Sequence, residues 1–72
     1  MEQKRKALCL VAGANLKRLI KNSVYRTQEE FAYQFGTDIR TVNRWVNQGI
    51  PNLTLVEMIA DFFGVDPLAL LS

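Results

Sequence analysis

The stretch from Thr27 to Trp45, Thr-Gln-Glu-Glu-Phe-Ala-Tyr-Gln-Phe-Gly-Thr-Asp-Ile-Arg-Thr-Val-Asn-Arg-Trp, leaves few folds open. Thr27 is a good helix N-cap, and Glu30 three places on completes the sequence form of a capping box. Phe31, Ala32 and Phe35 fall on the inward side of the helix that follows, and Gly36 suits its left-handed C′ position. Asp38 then caps a second helix, where its negative charge suits the positive N-terminus. Val42, Trp45 and Val46 make one face of that helix apolar, while Ile39, Arg40, Asn43 and Arg44 lie on the other. Two short helices thus meet at a glycine turn. The second is gripped by its apolar side and turns a largely polar side outward.

The rest of the chain also reads as helix. Leu8, Val11, Ala12, Leu16, Leu19 and Ile20 recur at helical spacing and predict a first amphipathic helix over roughly residues 7–22. Gly13 interrupts it at about 1 kcal/mol relative to Ala, so it is expected either to permit close packing or to mark where the ordered helix begins. Asn22 and Ser23 are stop and turn residues, and Ile50-Pro51-Asn52 is expected to be a loop. A helix over 53–63 carries Leu55, Val56, Met58, Ile59, Ala60, Phe62 and Phe63, with a narrow polar arc at Glu57 and Asp61. Gly64 stops it. Asp66-Pro67 opens a last short helix with Pro at its first position, from which Leu68, Leu70 and Leu71 are expected to close the core. No strand pattern, internal repeat or low-complexity segment occurs. The expected fold is all-α, a compact bundle of about five short helices, with residues 10–72 as one domain and residues 1–9 as a basic segment that precedes or begins helix 1.

Composition narrows the function. Seventy-two residues make one domain with a small core, and 49% apolar residues suit a folded globule. No apolar run approaches the ~20 residues of a membrane span. Lys4, Arg5 and Lys6 before Ala7–Ala14 resemble an export signal only superficially, because that stretch continues as an amphipathic helix through Ile20. A single cysteine, Cys9, cannot form an internal disulfide; it is expected as a small buried apolar residue in a reducing cytoplasm. The chain has no His, a lone Cys, no Gly-rich phosphate loop, and two adjacent carboxylates, Glu29 and Glu30, that diverge on a helix. No catalytic residue, metal site, cofactor or small-molecule substrate is therefore expected. The net charge of +2 conceals an asymmetry, since seven of the nine Lys and Arg residues lie within 1–26 against one acid, Glu2. A basic face of that kind suits a polyanion.

In order and spacing, these residues resemble the phage-repressor/Cro-like, or XRE-type, helix-turn-helix domains. Gly13, Asn15, Leu16 and Leu19 are similar to the first helix of that family. Gln28, Glu29, Glu30, Phe31 and Ala32 resemble its Q-E-E-L-A segment. Gly36, Thr41, Val42, Arg44 and Trp45 resemble its turn and recognition helix. Pro51, Ile59, Ala60, Phe63, Gly64, Val65 and Leu70 resemble its tail. The resemblance spans roughly residues 12–71 and implies a lambda-repressor-like bundle whose helices 2 and 3 form the helix-turn-helix. There are three departures. The loop Asn22–Arg26 lacks a glycine and is one residue longer, Val46 replaces the usual acid after the tryptophan, and Gly49 falls one place late.

Such a motif offers the outward face of its second helix to the DNA major groove. Arg40 and Arg44 are expected at guanine O6 and N7, Asn43 at an adenine edge, and Ile39 at a thymine methyl. Thr41 is expected to be structural. Gln28, at the N-terminus of helix 2, is expected to hold a phosphate, as the family's glutamine does there, with Thr27 beside it. Asn47, Gln48 and Asn52 around the following loop, and Lys17 and Arg18 on helix 1, are the further phosphate candidates. The expected partner is a double-stranded DNA operator, bound by a homodimer because one helix reads only about 3–5 base pairs. The surplus apolar arc Leu55, Met58 and Phe62 on helix 4 is the expected place for pairing, unless helix 5 covers it. The protein would be a cytoplasmic transcriptional regulator, either minimal or the N-terminal part of a longer one. The alternative is a protein-interaction module, antitoxin-like or antirepressor-like, that keeps the fold without reading DNA.

Overall fold

A computed structural model describes residues 2–72, with side chains from residue 7 onward. Five helices follow in order: α1 (Glu2–Lys21), α2 (Gln28–Phe35), α3 (Ile39–Gln48), α4 (Leu53–Phe63) and α5 (Pro67–Leu71). The described residues contain no strand. Helix α1 starts well before the expected residue 7. Glu, Gln, Lys and Arg are good helix formers, so propensity carries the helix outward past the last apolar contact. The side chains of Lys4, Arg5 and Lys6 lie outside the described residues.

Each of α2–α5 is closed at its start by a side chain. Thr27 Oγ1 accepts from the Glu30 backbone N–H at 3.1 Å, Asp38 Oδ1 from Thr41 at 2.7 Å, Asn52 Oδ1 from Leu55 at 2.9 Å, and Asp66 Oδ1 from Leu68 at 2.9 Å. The expected capping box at α2 is only half formed. The Thr27 N–H is already bound to the Tyr25 carbonyl, and the Glu30 carboxylate instead accepts from Gln34. Gly36 and Gly64 end α2 and α4 in the left-handed region, at φ 94° and 69°.

The core joins Ala12, Leu16 and Ile20 of α1 to Phe31 and Ala32 of α2, Val42 and Trp45 of α3, Val56, Ile59 and Ala60 of α4, and Leu70 of α5. An aromatic cluster fills the space between α2 and α4. Phe31 lies 5.4 Å from Phe62 and 5.3 Å from Phe63, and Tyr25 covers Phe62 at 5.3 Å. This overturns part of the expected pairing surface. Phe62 is occupied by α2 and Tyr25 rather than left free, Leu55 is half-buried, and only Met58 of that arc is exposed. Leu68 does not close the core either. It is 68% exposed and Leu71 is half-buried, because a helix of five residues turns only one side chain, Leu70, fully inward. Cys9 is half-buried, not buried.

Two glycines set the approach of α1 to α3. A Cβ on Gly13 would stand 2.2 Å from the Trp45 carbonyl oxygen, so Gly13 serves close packing, and the helix runs unbroken through it. Gly49, at φ 105°, abuts the Cys9 backbone, where a Cβ would fall 2.8 Å from both carbonyl atoms. Directly after it, the Ile50 N–H donates to the Cys9 carbonyl at 3.2 Å, and the Ile50 side chain is fully buried. The glycine that falls late in sequence therefore lies where the loop crosses α1.

Candidate nucleic-acid interface

Helix α3 shows two faces. Val42 and Trp45 are buried, Val46 and Thr41 are half-buried, and Ile39, Arg40, Asn43, Arg44, Asn47 and Gln48 are all exposed. The buried pair anchors the helix against α1 and α2, with Trp45 edge-on to Phe35 at 6.0 Å. Arg40, Asn43, Arg44, Asn47 and Gln48 line a single open concavity along the outer face. Five of the expected contact residues are thus brought together, two cationic and three carboxamide, with Ile39 43% exposed in the first turn. Arg44 and Gln48 also border a second depression shared with Trp45 and Pro51. Guanidinium and carboxamide groups on one convex helix are the donors and acceptors that match base edges and phosphates.

The Helix-turn-helix family model matches residues 16–70, which takes in all of α2, α3 and α4, the C-terminal end of α1 and most of α5. The chain belongs to this Cro/C1-type helix-turn-helix family. No curated protein and no solved structure matches it in the corresponding comparisons. The helix-turn-helix family is a DNA-binding one, and the chain is a DNA-binding helix-turn-helix regulator in that general sense. Among the described residues no helix is long and apolar enough to cross a membrane.

Within this helix-turn-helix, Asp38 does more than cap. The Thr41 backbone N–H, then the Thr41 hydroxyl, hold its carboxyl below the ordinary carboxylate range, and the nearby charges of Arg40 and Arg44 act in the same direction. Thr41 therefore has the structural role expected of it. Asn43 and Asn47, one turn apart, are joined by a hydrogen bond in which Asn47 Nδ2 donates to Asn43 Oδ1 at 2.5 Å.

The expected phosphate residues are spread more widely. Gln28 is half-buried in the first turn of α2, behind the Thr27 cap. Asn52 is exposed, but its Oδ1 is committed to α4, and it borders an apolar groove with Leu8, Leu53 and Leu71. Lys17 is exposed one turn beyond Gly13. Arg18 is not brought to α3. Its guanidinium donates to Asn15 Oδ1, and it lines a depression with Asn22, Val65 and Ala69 between α1 and α5.

Asn15, similar in sequence to the family's first helix, has a structural task that its position alone does not announce. It is the buried polar residue among the described residues, and its Nδ2 donates to the carbonyl of Leu70 at 2.8 Å and of Ala69 at 3.4 Å, fastening α5 to α1. A single Asn on the apolar face of helix 1 was the available signal. In the glycine-less loop, Arg26 takes the left-handed conformation at φ 62°, and Ser23 Oγ both caps the Ile20 carbonyl at 2.8 Å and accepts from Tyr25 N–H.

Proposed function

We propose that the protein is a sequence-specific transcriptional regulator that lays α3 in the major groove of a double-stranded DNA operator. The observation that carries this reading is the outer face of α3, where Arg40, Asn43, Arg44, Asn47 and Gln48 share one concavity while Val42 and Trp45 hold the helix from behind. Arg40 and Arg44 take guanine edges, Asn43 an adenine edge, and Ile39 a thymine methyl. Gln28 and Thr27 at the start of α2, with Lys17, Gln48 and Asn52, contact phosphates and set the register. Arg18 contributes charge at longer range. Apart from Ile39 the outer face of α3 exposes no apolar side chain that would seat a protein partner, which disfavours an interaction module.

Residues 10–72 form the DNA-binding domain, and residues 1–9 add basic charge at its edge. Two subunits bind together on half-sites one helical turn apart, since one α3 reads too few base pairs for a unique site. The protein acts in the cytoplasm, where such an operator is found. The test is selection of bound duplexes from random DNA at fixed, stated salt. A reproducible enriched site is the expected result. Binding without any enriched site would overturn base readout, and no binding at low salt would overturn the function.

A further inference from the structure

The hydrogen bond between Asn43 and Asn47 gives the second residue a task beyond its expected phosphate contact. We infer that Asn47 is a positioning residue for base readout, locking the Asn43 carboxamide in the one orientation that presents an acceptor and a donor side by side to the groove. This inference rests on the proposed major-groove placement of α3.

A free asparagine amide on an exposed helix rotates about its last torsion with a broad, roughly two-fold profile, and its oxygen and nitrogen exchange places freely. An amide in that state presents both orders of donor and acceptor. Here Asn47 Nδ2 donates to Asn43 Oδ1 at 2.5 Å, across the i, i+4 spacing at which side chains of neighbouring turns meet. The bond points the Asn43 oxygen toward Asn47, one turn nearer the C-terminal end of α3, and so fixes which side of the amide carries the nitrogen. It uses one lone pair of that oxygen and leaves the second, together with both Nδ2 hydrogens, for a ligand. An adjacent acceptor and donor complement N6–H and N7 of adenine, whereas guanine offers two acceptors and repels the oxygen. Asn43 and Asn47 are both exposed and line the same concavity as Arg40 and Arg44, so the locked amide shares the outer face of α3 with the two arginines. Asp38 is the carboxylate whose charge is coupled to those arginines; the amide pair itself carries none, so its order does not depend on pH.

The experiment measures relative affinities of wild type, Asn43→Ala, Asn47→Ala and the double variant for the selected duplex and for duplexes substituted with each base at every position. Circular dichroism of the free proteins confirms that all four are folded. The base pair assigned to Asn43 is the one at which Asn43→Ala abolishes discrimination. Asn47→Ala is expected to reduce adenine preference at that same base pair by about 3- to 10-fold, leaving discrimination elsewhere intact. Adding it to Asn43→Ala should cause no further loss there. An equal loss of affinity on every duplex would make Asn47 a phosphate contact and overturn the inference, as would wild-type preference in Asn47→Ala. Wild type binding all duplexes alike would instead overturn the major-groove reading itself.

Discussion

Gly13→Ala tests the packing that seats α3. In an ordinary helix interior the change is favourable by about 1 kcal/mol, because alanine loses less backbone entropy. Here the new methyl would stand 2.2 Å from the Trp45 carbonyl oxygen, an atom of the α3 backbone that no rotamer change can move. To reach ordinary contact distance, α1 and α3 must separate by roughly 1 Å. That separation loosens Trp45 and Val42 in the core. It also strains the Ile50–Cys9 hydrogen bond that closes the same seam. Overpacking of this kind costs about 1–3 kcal/mol or somewhat more, and the strained bond adds up to about 1 kcal/mol. Set against the propensity gain, a net loss of about 2 kcal/mol is expected, or a fall in Tm of roughly 8–16 °C for a domain of this size. Thermal and urea melts followed by circular dichroism, without DNA, provide the assay. A Tm at or above that of wild type would mean that the helices are not in contact at Gly13, and the account of how α3 is held would fail.

Other expectations concern binding and charge. With roughly 4–6 phosphate contacts per subunit, the slope of log affinity against log salt should be about −4 to −5 on duplex DNA, and a slope near zero would be incompatible with the proposed interface. Arg40→Ala and Arg44→Ala should each cost about 1–3 kcal/mol at one base pair, whereas Gln28→Ala should weaken all sequences evenly; competition binding against substituted sites separates the two patterns. Asp38→Asn keeps a capping oxygen but removes the charge that α3 favours. Because the Asp38 carboxyl titrates below its ordinary value in the folded protein, its contribution is full above about pH 4 and lost as pH falls through the folded value. The Tm gap between wild type and Asp38→Asn should therefore close in acid, and a gap that widens there would reverse the argument. Native mass spectrometry on a selected palindromic site should show two subunits per duplex, and saturation at one would exclude the dimer.

Much of this molecule was legible in local sequence because its elements are bounded by strong, short-range chemistry. Thr27, Asp38, Asn52 and Asp66 each stand one residue before a helix, and Gly36 and Gly64 each stand one after. Such signals act within four residues, so α2, α3 and α4 were readable almost to the residue. The start of α1 was not, because its outer turns depend on helix propensity and carry no periodic apolar signal. Tertiary detail was less accessible. Ile50 read as a loop residue, yet the Cys9 carbonyl draws it into the core from a helix some forty positions away in sequence. Phe62 read as surplus on α4, since nothing local announces that Tyr25, in a loop, will cover it. The face of α3 was legible from helical periodicity. The Asn43–Asn47 bond and the diversion of Arg18 to Asn15 were not, because each depends on which of several available partners a flexible side chain takes.

The arrangement separates the residues that hold the domain from those of the proposed DNA-reading face. Val42 and Trp45 bind α3 to the core through contacts that tolerate little change, and Gly13 and Gly49 fix how near α1 lies. Arg40, Asn43, Arg44, Asn47 and Gln48 are all exposed on the opposite face, where substitutions away from caps and packing usually change stability by less than about 0.5 kcal/mol. Asp38 links the two sets, capping α3 through Thr41 while lying within the field of Arg40 and Arg44. A change of operator preference through the α3 face should therefore leave the melting behaviour of the free protein nearly untouched. A change at Asp38 should move stability and DNA affinity together.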